Sequence, residues 1–188
     1  MRRMSCAAAL VAGLGLPLGA SAGSDRADVA LVLAIDVSGS VDDHRFELQR
    51  EGIAAAPERD EVATAVLGGV NQAIEIAVVE WAEEQQLVVP WTVLRGRDDL
   101  NALATRLRGA SRSWLHTKTD PGGGIAAARR LFAGQPLVSL RQIIDVSGDG
   151  RQNTGEVPTA EARDAAVSHG VTVNGLPIAS AGQPRVEE

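Results

Sequence analysis

The sequence predicts an α/β protein in which a mainly parallel sheet lies between two layers of helices, with one antiparallel strand at the edge of the sheet. Short apolar stretches alternate with stretches that have helical periodicity. This alternation is typical of a three-layer, doubly wound sheet covered on both faces. One apolar stretch contains Pro90 and follows its predecessor after a short link. Because proline cannot donate a ladder hydrogen bond, this stretch is predicted to form an antiparallel edge strand.

The elements are predicted from apolar runs and from turn signals. Five strands are predicted, over residues 29–36, 74–82, 87–93, 141–147 and 171–177. Four helices are predicted, over residues 42–56, 98–108, 123–132 and 159–169. Between Pro57, which ends the first helix, and residue 71 the pattern is weak, and Val62, Val66 and Val70 have the spacing of a short helical stripe.

The strand predictions depend on run length and on alternation. Residues 31–35 (LVLAI) form a run that is too short to span a membrane and that suits a strand buried on both faces. The stretch IEIAVVEWA alternates, which places Ile74, Ile76 and Val78 on one face of the sheet.

The helix predictions depend on spacing and on capping residues. Leu100, Leu103 and Leu107 recur on one helical face, and Asp98 is predicted to be the N-cap of that helix. Gly170 is predicted to end the last helix, because glycine readily adopts the conformation that terminates helices.

Residues 1–22 are predicted to be a secretory signal peptide. Arg2 and Arg3 precede an apolar stretch, and Ala20-Ser21-Ala22 supplies the small residues of a cleavage site. The single cysteine, Cys6, lies in this segment. The mature chain is therefore expected to be exported, either periplasmic or extracellular, without insertion in a membrane and without a disulfide or a zinc–thiolate site.

The charge of the chain argues against nucleic acid as a partner. The 188 residues include 18 basic and 24 acidic side chains, which give a net charge of −6. Loss of Arg2 and Arg3 with the signal peptide changes the net charge to −8, and the remaining basic residues form no stripe along the sequence. Nucleic acids and anionic membrane surfaces are therefore not expected as partners.

Oxygen-bearing side chains follow two of the predicted strands where each strand ends. Asp36, Ser38 and Ser40 follow the first strand, and Asp149 follows the fourth. Because the carboxyl ends of parallel strands meet at one edge of a sheet, the two acids are expected to lie near each other. Carboxylates and hydroxyls suit Mg²⁺, Mn²⁺ or Ca²⁺ better than zinc or copper.

The loop before the helix at 123–132 offers two further hydroxyls, Thr117 and Thr119.

The candidate residues that follow the strands also have a purely structural interpretation. The two serines can cap the first helix, and Asp149-Gly150 can form a simple turn.

These residues resemble the metal-ion-dependent adhesion site of von Willebrand factor A-like domains. In that family D-x-S-x-S follows an apolar strand, a threonine precedes a helix, and Asp-Gly follows a later strand. Asp36, Ser38 and Ser40 match the first element, Thr119 best matches the second, and Asp149 matches the third. The stretches LVLAIDVSGSVD, LQREGIAAA, VVEWA, VVPWT, IDVSGDG and NGLPI further resemble a bacterial family of secreted von Willebrand A-like proteins, domain-of-unknown-function family 1194.

The resemblance covers about residues 28–178. It implies a von Willebrand A-like, Rossmann-like domain at 29–178, a polar lead-in at 23–28 and a polar tail at 179–188. It also implies the strand order 3-2-1-4-5-6, and relative to that order the sequence ends after the fifth strand, as a C-terminally truncated version of the fold. The fifth strand is then expected to be paired on one side only.

Two acids depart from the family pattern. Asp120-Pro121 follows Thr119 where the family has a small polar and then an apolar residue, so the threonine loop could lie differently. Asp145 places an acid inside an apolar strand. Asp145 could support the metal ligands or could be a buried acid bonded to a backbone amide. The second interpretation is favoured.

The resemblance implies a secreted domain that binds one divalent cation, with Mg²⁺ favoured and Mn²⁺ and Ca²⁺ as alternatives. Through that ion the domain would bind a protein partner that presents a carboxylate. The competing hypothesis is a metal-dependent hydrolase that uses the same site, which needs a general base, and Asp120 and Asp145 are the spare acids nearby. Nucleotide binding is disfavoured, because the turn after the first strand has neither G-x-G-x-x-G nor a P-loop lysine.

Overall fold

The computed structural model describes residues 25–113 and 117–178. The strands are β1 (Arg26–Ala27), β2 (Val29–Asp36), β3 (Ile74–Trp81), β4 (Gln85–Leu94), β5 (Val138–Ser139), β6 (Gln142–Gly148) and β7 (Val171–Pro177). The helices are α1 (Asp43–Ala55), α2 (Asp60–Leu67), α3 (Arg97–Gly109), α4 (Pro121–Leu131) and α5 (Thr159–Ser168). The predicted signal peptide at 1–22 and the predicted tail at 179–188 lie outside the described residues.

The main sheet has the predicted topology. Its strand order is β4-β3-β2-β6-β7. β2 pairs in parallel with β3 and β6, β6 pairs in parallel with β7, and β3 pairs with β4 in an antiparallel hairpin. The prediction that Pro90 lies in an edge strand is confirmed, and so is the predicted pairing of the last strand on one side only within the described residues.

The two faces of the sheet are buried to different extents. On the face covered by α4 and α5, the β2 residues Ala30, Val32 and Ala34 are completely buried. On the face covered by α1, α2 and α3, Leu31 and Leu33 are only partly buried, because they line an apolar cavity of about 490 Å³. The expectation that this strand is buried on both faces therefore holds fully on one face only.

Several local predictions differ from the structure. Asp98 is not the N-cap of α3, since the helix begins after Gly96 and Asp98 lies in its first turn. The predicted helical stripe of Val62, Val66 and Val70 is only partly present. Helix α2 contains Val62 and Val66 but ends at Leu67, and Val70 is 91% exposed.

The described part of the polar lead-in, residues 25–28, is packed against the rest of the fold. β1 pairs in parallel with β5, which places Ala27 in the core. The side chain of Asp28 accepts hydrogen bonds from the backbone and side-chain nitrogens of Asn71. Two-residue strands carry no periodic signal in a sequence, so this pairing was not predictable from it.

The glycines at the start of α4 allow the helix to pack closely on the sheet. A Cβ atom on Gly124 would lie 2.8 Å from Trp81 Cγ, a distance that real side chains do not reach. The helix begins where Asp120 Oδ1 accepts a hydrogen bond of 2.9 Å from Gly123 N. This cap fixes the loop that carries Thr119. In the two described ranges, no helix is both long and apolar enough to cross a membrane.

Candidate metal centre

The carboxyl ends of β2 and β6 bring the two predicted acids to one edge of the sheet. Asp36 is the last residue of β2, and Asp149 directly follows β6. Gly148 ends β6, and a Cβ atom on it would lie 3.1 Å from Asp36 Oδ2 and 3.1 Å from Trp81 Cζ2. The missing side chain at Gly148 therefore allows the end of β6 to lie close to Asp36.

Hydroxyl groups connect the two acids. Ser38 Oγ lies 3.1 Å from Ser40 Oγ and 3.4 Å from Thr119 Oγ1. Ser40 Oγ donates a hydrogen bond of 2.5 Å to Asp149 Oδ1. Asp149 N lies 3.4 Å from Asp36 Oδ2. The structure thus brings together all five residues that the sequence nominated, from three separate stretches of the chain.

Asp36 is completely buried at the centre of this cluster. Its Oδ1 accepts a hydrogen bond of 2.8 Å from Ser38 N, which shapes the turn after β2. Burial raises the pKa of the Asp36 carboxyl above its ordinary value, hydrogen bonds from Ser38 partly offset that rise, and the charge of Asp149 adds to it.

Of the two threonines considered, the structure places Thr119 in the cluster. Thr119 is 3% exposed, whereas Thr117 is exposed on the loop. Thr119 N donates to Asn153 Oδ1 at 2.8 Å, and Asn153 N donates to Thr119 O at 3.0 Å. Sequence reasoning missed Asn153, because it lies in the polar loop after β6 and no spacing links it to Thr119.

Arg112 is a second residue that sequence reasoning missed. Its Nη2 atom donates to the carbonyl oxygens of Val37, Ser38 and Val41 at 2.7, 3.1 and 2.7 Å. The side chain comes from the loop after α3 and holds the D-x-S-x-S turn from outside the cluster. An arginine in a polar loop gives no sequence signal for such a role.

Arg45 places a positive charge against the cluster. Its Nη1 atom donates to Asp149 Oδ2 at 3.1 Å and to the carbonyl oxygen of Ser40 at 3.2 Å. The Asp149 side chain is 2% exposed and that of Arg45 is 26% exposed. Both carboxylate oxygens of Asp149 are therefore hydrogen-bonded, one to a hydroxyl and one to a guanidinium.

The two other acids noted in the sequence lie outside the cluster. The predicted bond of Asp145 to a backbone amide is wrong: its Oδ1 atom accepts a hydrogen bond of 2.7 Å from the side chain of Asn174 on β7. Asp145 is only partly buried, and the register between β6 and β7 places Asn174 directly beside it. Asp120 is buried as the cap of α4, so the unusual Asp120-Pro121 pair leaves Thr119 at the cluster.

The donor set fits a hard divalent cation. Two carboxylates can balance the charge of such an ion, and three hydroxyls add neutral oxygen ligands. Within residues 25–113 and 117–178, no group of three or more His, Cys, Asp or Glu side chains could hold a metal ion. A metal ion at this edge would therefore have to take hydroxyl oxygens as well as the two carboxylates as ligands.

The fold, with its mainly parallel sheet and five oxygen-bearing side chains at the carboxyl edge, is that of a von Willebrand factor A-like domain. Residues 26–188 match the family described as "Protein of unknown function (DUF1194)", and the chain belongs to this family. None of the curated proteins matches the chain.

Solved structures of von Willebrand A-like domains have the same fold. Proximal thread matrix protein 1 from the mussel byssus, solved with a zinc-occupied MIDAS motif, is 17% identical over 84% of this chain and 39% of its own length, with a TM-score of 0.66. BatB from Bacteroides thetaiotaomicron is 24% identical over 79% of this chain and 66% of its own length, with a TM-score of 0.57. At these identities the likeness shows the fold alone, and this chain spans less than two thirds of either protein.

Proposed function

We propose that this chain is an exported interaction domain that binds one divalent cation and, through that ion, an acidic group of a protein partner. Asp36, Ser38, Ser40, Thr119 and Asp149 would hold the ion, with Mg²⁺ favoured and Mn²⁺ or Ca²⁺ as alternatives. The observation that carries this proposal is the convergence of two buried carboxylates and three hydroxyls at the carboxyl edge of the sheet.

The charge of the site supports a carboxylate as the partner group. Two acids neutralise a divalent ion, and neutral hydroxyls leave it electrophilic toward a further oxygen ligand. Mg²⁺ prefers six oxygen ligands, so a carboxylate from a partner can complete its coordination.

The hydrolase hypothesis receives less support from the geometry. A metal-activated water needs a general base within hydrogen-bonding distance. Asp120 caps α4 and Asp145 is bonded to Asn174, so each of the two spare acids already has a structural role.

Titration calorimetry on the mature chain tests the proposed metal site. Asp36→Ala should abolish binding of Mg²⁺ and Mn²⁺, because the remaining carboxylate cannot alone offset the dehydration of the ion. Ser38→Ala should weaken binding and leave the fold intact. Asp145→Asn is the control, since it removes an acid from β6, the strand beside β2, but outside the cluster, and it should bind as the wild type does.

The titration should include Zn²⁺, because the mussel structure has zinc in its motif. Equal Mg²⁺ and Mn²⁺ affinities in the wild type and in Asp36→Ala would contradict the proposed site and would leave D-x-S-x-S as a structural turn, since the N-cap of α1 is Asp42.

Export is tested separately by the mass of the secreted protein. The charged, apolar and small-residue regions of residues 1–22 occur in the order that signal peptidase substrates require. We therefore expect a mature chain that begins near Gly23. Recovery of a membrane-embedded form that still contains Met1 would contradict this prediction.

A further inference from the structure

The charge of Arg45 is opposed by the dipole of its own helix and is partly offset by Asp42, whose Oδ2 atom lies 3.8 Å from Arg45 Nε. Arg45 lies in the first turn of α1, where the N-cap Asp42 accepts a hydrogen bond of 2.8 Å from Arg45 N. The amino end of a helix carries a partial positive charge, which favours acids and disfavours arginine. The guanidinium is nevertheless directed toward the candidate metal centre, where its Nη1 atom bonds Asp149.

We propose that Arg45 is an internal cation that competes with the divalent ion for Asp149 and thereby sets how tightly the ion is bound. This inference rests on the proposed function of the site. In the ion-free protein the guanidinium neutralises Asp149, whose side chain is almost fully buried. An isolated charge in such a place is strongly destabilising, so a cation of the protein itself stands in for the metal.

The contacts of Asp149 determine the sign of the effect. Oδ1 is held by Ser40 Oγ, and the backbone before Asp149 is fixed by the pairing of β6 with β2 and β7. Asp149 therefore keeps its orientation without Arg45, and what Arg45 adds at Oδ2 is mainly positive charge. A divalent ion that bonds to Asp149 must share that carboxylate with the guanidinium or displace it, and the two cations repel each other.

The same repulsion would couple ion binding to partner binding. A carboxylate from a partner introduces a negative charge beside both the ion and Arg45, and the partly exposed guanidinium can donate hydrogen bonds to it. By thermodynamic reciprocity, an acid that binds more tightly when the ion is present also makes the ion bind more tightly. Arg45 would therefore keep the site weak for the ion alone.

Mn²⁺ titration of the mature chain, followed by electron paramagnetic resonance of the free ion, tests this inference with the metal alone. Arg45→Gln and Arg45→Met remove the charge and should bind Mn²⁺ about tenfold more tightly than the wild type. Arg45→Lys keeps the charge and should bind as the wild type does. Arg59→Gln is the matched control, because it makes the same change of net charge at an exposed side chain paired with Glu61, outside the cluster, and it should leave the affinity unchanged.

A second measurement separates charge competition from a purely structural role. In excess chelator, Arg45→Gln should unfold at a lower midpoint temperature than the wild type, because Asp149 has lost its counter-charge. Saturating Mn²⁺ should raise the midpoint of Arg45→Gln by more than it raises that of the wild type. A structural role alone would lower both the stability and the ion affinity of Arg45→Gln.

The outcomes distinguish the inference from the function on which it rests. Tighter binding in both neutral variants, with Arg59→Gln unchanged, supports the inference, and so does binding that is detectable only when the charge is removed. Equal or weaker binding in the neutral variants, while the wild type binds, overturns the inference and leaves the metal site standing. An equal gain in Mn²⁺ affinity in Arg59→Gln would also overturn the inference, because the change in net charge would then explain the effect. Absence of binding in every protein would overturn both.

Discussion

Asp36 is the residue at which burial and charge conflict most directly. It is completely buried, and burial raises the pKa of its carboxyl although Ser38 donates hydrogen bonds to it. A raised pKa in the folded state means that the native protein binds this proton more tightly than the unfolded chain does. The ion-free fold is then less stable when Asp36 is charged, and a bound cation would remove that penalty.

The first prediction therefore concerns pH at this residue. In chelator, the contribution of Asp36 to the free energy of unfolding should be most favourable at pH values below the pKa of the unfolded chain. It should decline as the pH rises from about 3.8 through the raised pKa of the folded state. Asp36→Asn should lack this decline, and at pH 7 without ions it should be at least as stable as the wild type while binding no Mg²⁺.

Urea unfolding of both proteins between pH 4 and pH 7 measures this difference. A wild-type stability that rises relative to Asp36→Asn over that range would contradict the predicted sign.

At the scale of elements, the loop after α3 holds the turn that carries the metal candidates. Besides its bonds to three carbonyl oxygens of that turn, the Arg112 guanidinium lies 5.2 Å from the centre of the Phe46 ring. Next to it, Ser113 N and Ser113 Oγ donate to Glu80 Oε2 at 2.9 and 2.5 Å. The turn is thus fixed between β2, α1 and this loop, which keeps its ligand oxygens in place before any ion binds.

Arg112→Met tests that arrangement. The methionine keeps an apolar stem over Phe46 but leaves the carbonyl oxygens of Val37, Ser38 and Val41 without this donor. We expect a loss of about 1–3 kcal/mol in unfolding free energy, the usual result of leaving buried polar groups unpaired, together with weaker Mn²⁺ binding.

Arg106→Met is the control for Arg112→Met, because Arg106 is an exposed arginine on α3 and its replacement should change neither quantity. Unchanged stability and ion affinity in Arg112→Met would show that the turn is held by its own backbone.

At the scale of the whole molecule, the apolar cavity and the last strand leave hydrophobic surface exposed. The cavity of about 490 Å³ is lined almost entirely by aliphatic side chains from the sheet and from α1, α2 and α3. β7 pairs only with β6 in the described residues, and Leu176 on it is 65% exposed. Unpaired edges and apolar surface of this kind promote self-association.

We therefore expect a protein of residues 23–188 to bind a hydrophobic dye and to melt at a low temperature or to dimerise through β7. Light scattering and dye fluorescence measure these properties. Leu176→Lys should reduce dimerisation, whereas Val167→Lys, at an exposed position on α5, should not. A monodisperse monomer that binds no dye would contradict this prediction.

The sequence alone predicted the fold class and the residues nominated for the metal site, and the order of the five main strands was implied by the family resemblance. The fold class follows from local signals: the apolar run that ends at Asp36, the helical spacing of Leu100, Leu103 and Leu107, and Pro90 in an edge strand. Parallel topology then implies that the carboxyl ends of neighbouring strands meet at one edge, which is enough to expect Asp36 and Asp149 together.

Only the tertiary structure decided how that site is supported. Arg112 and Asn153 lie in loops far along the chain from the residues that they hold, and Arg45 bonds to Asp149, which lies 104 residues away. Contacts of this kind leave no periodicity or spacing in the sequence. The predicted bond of Asp145 to a backbone amide was wrong for the same reason. Whether an acid in a strand bonds to a backbone amide or to a neighbouring side chain depends on which strand lies beside it and on how well that face is covered.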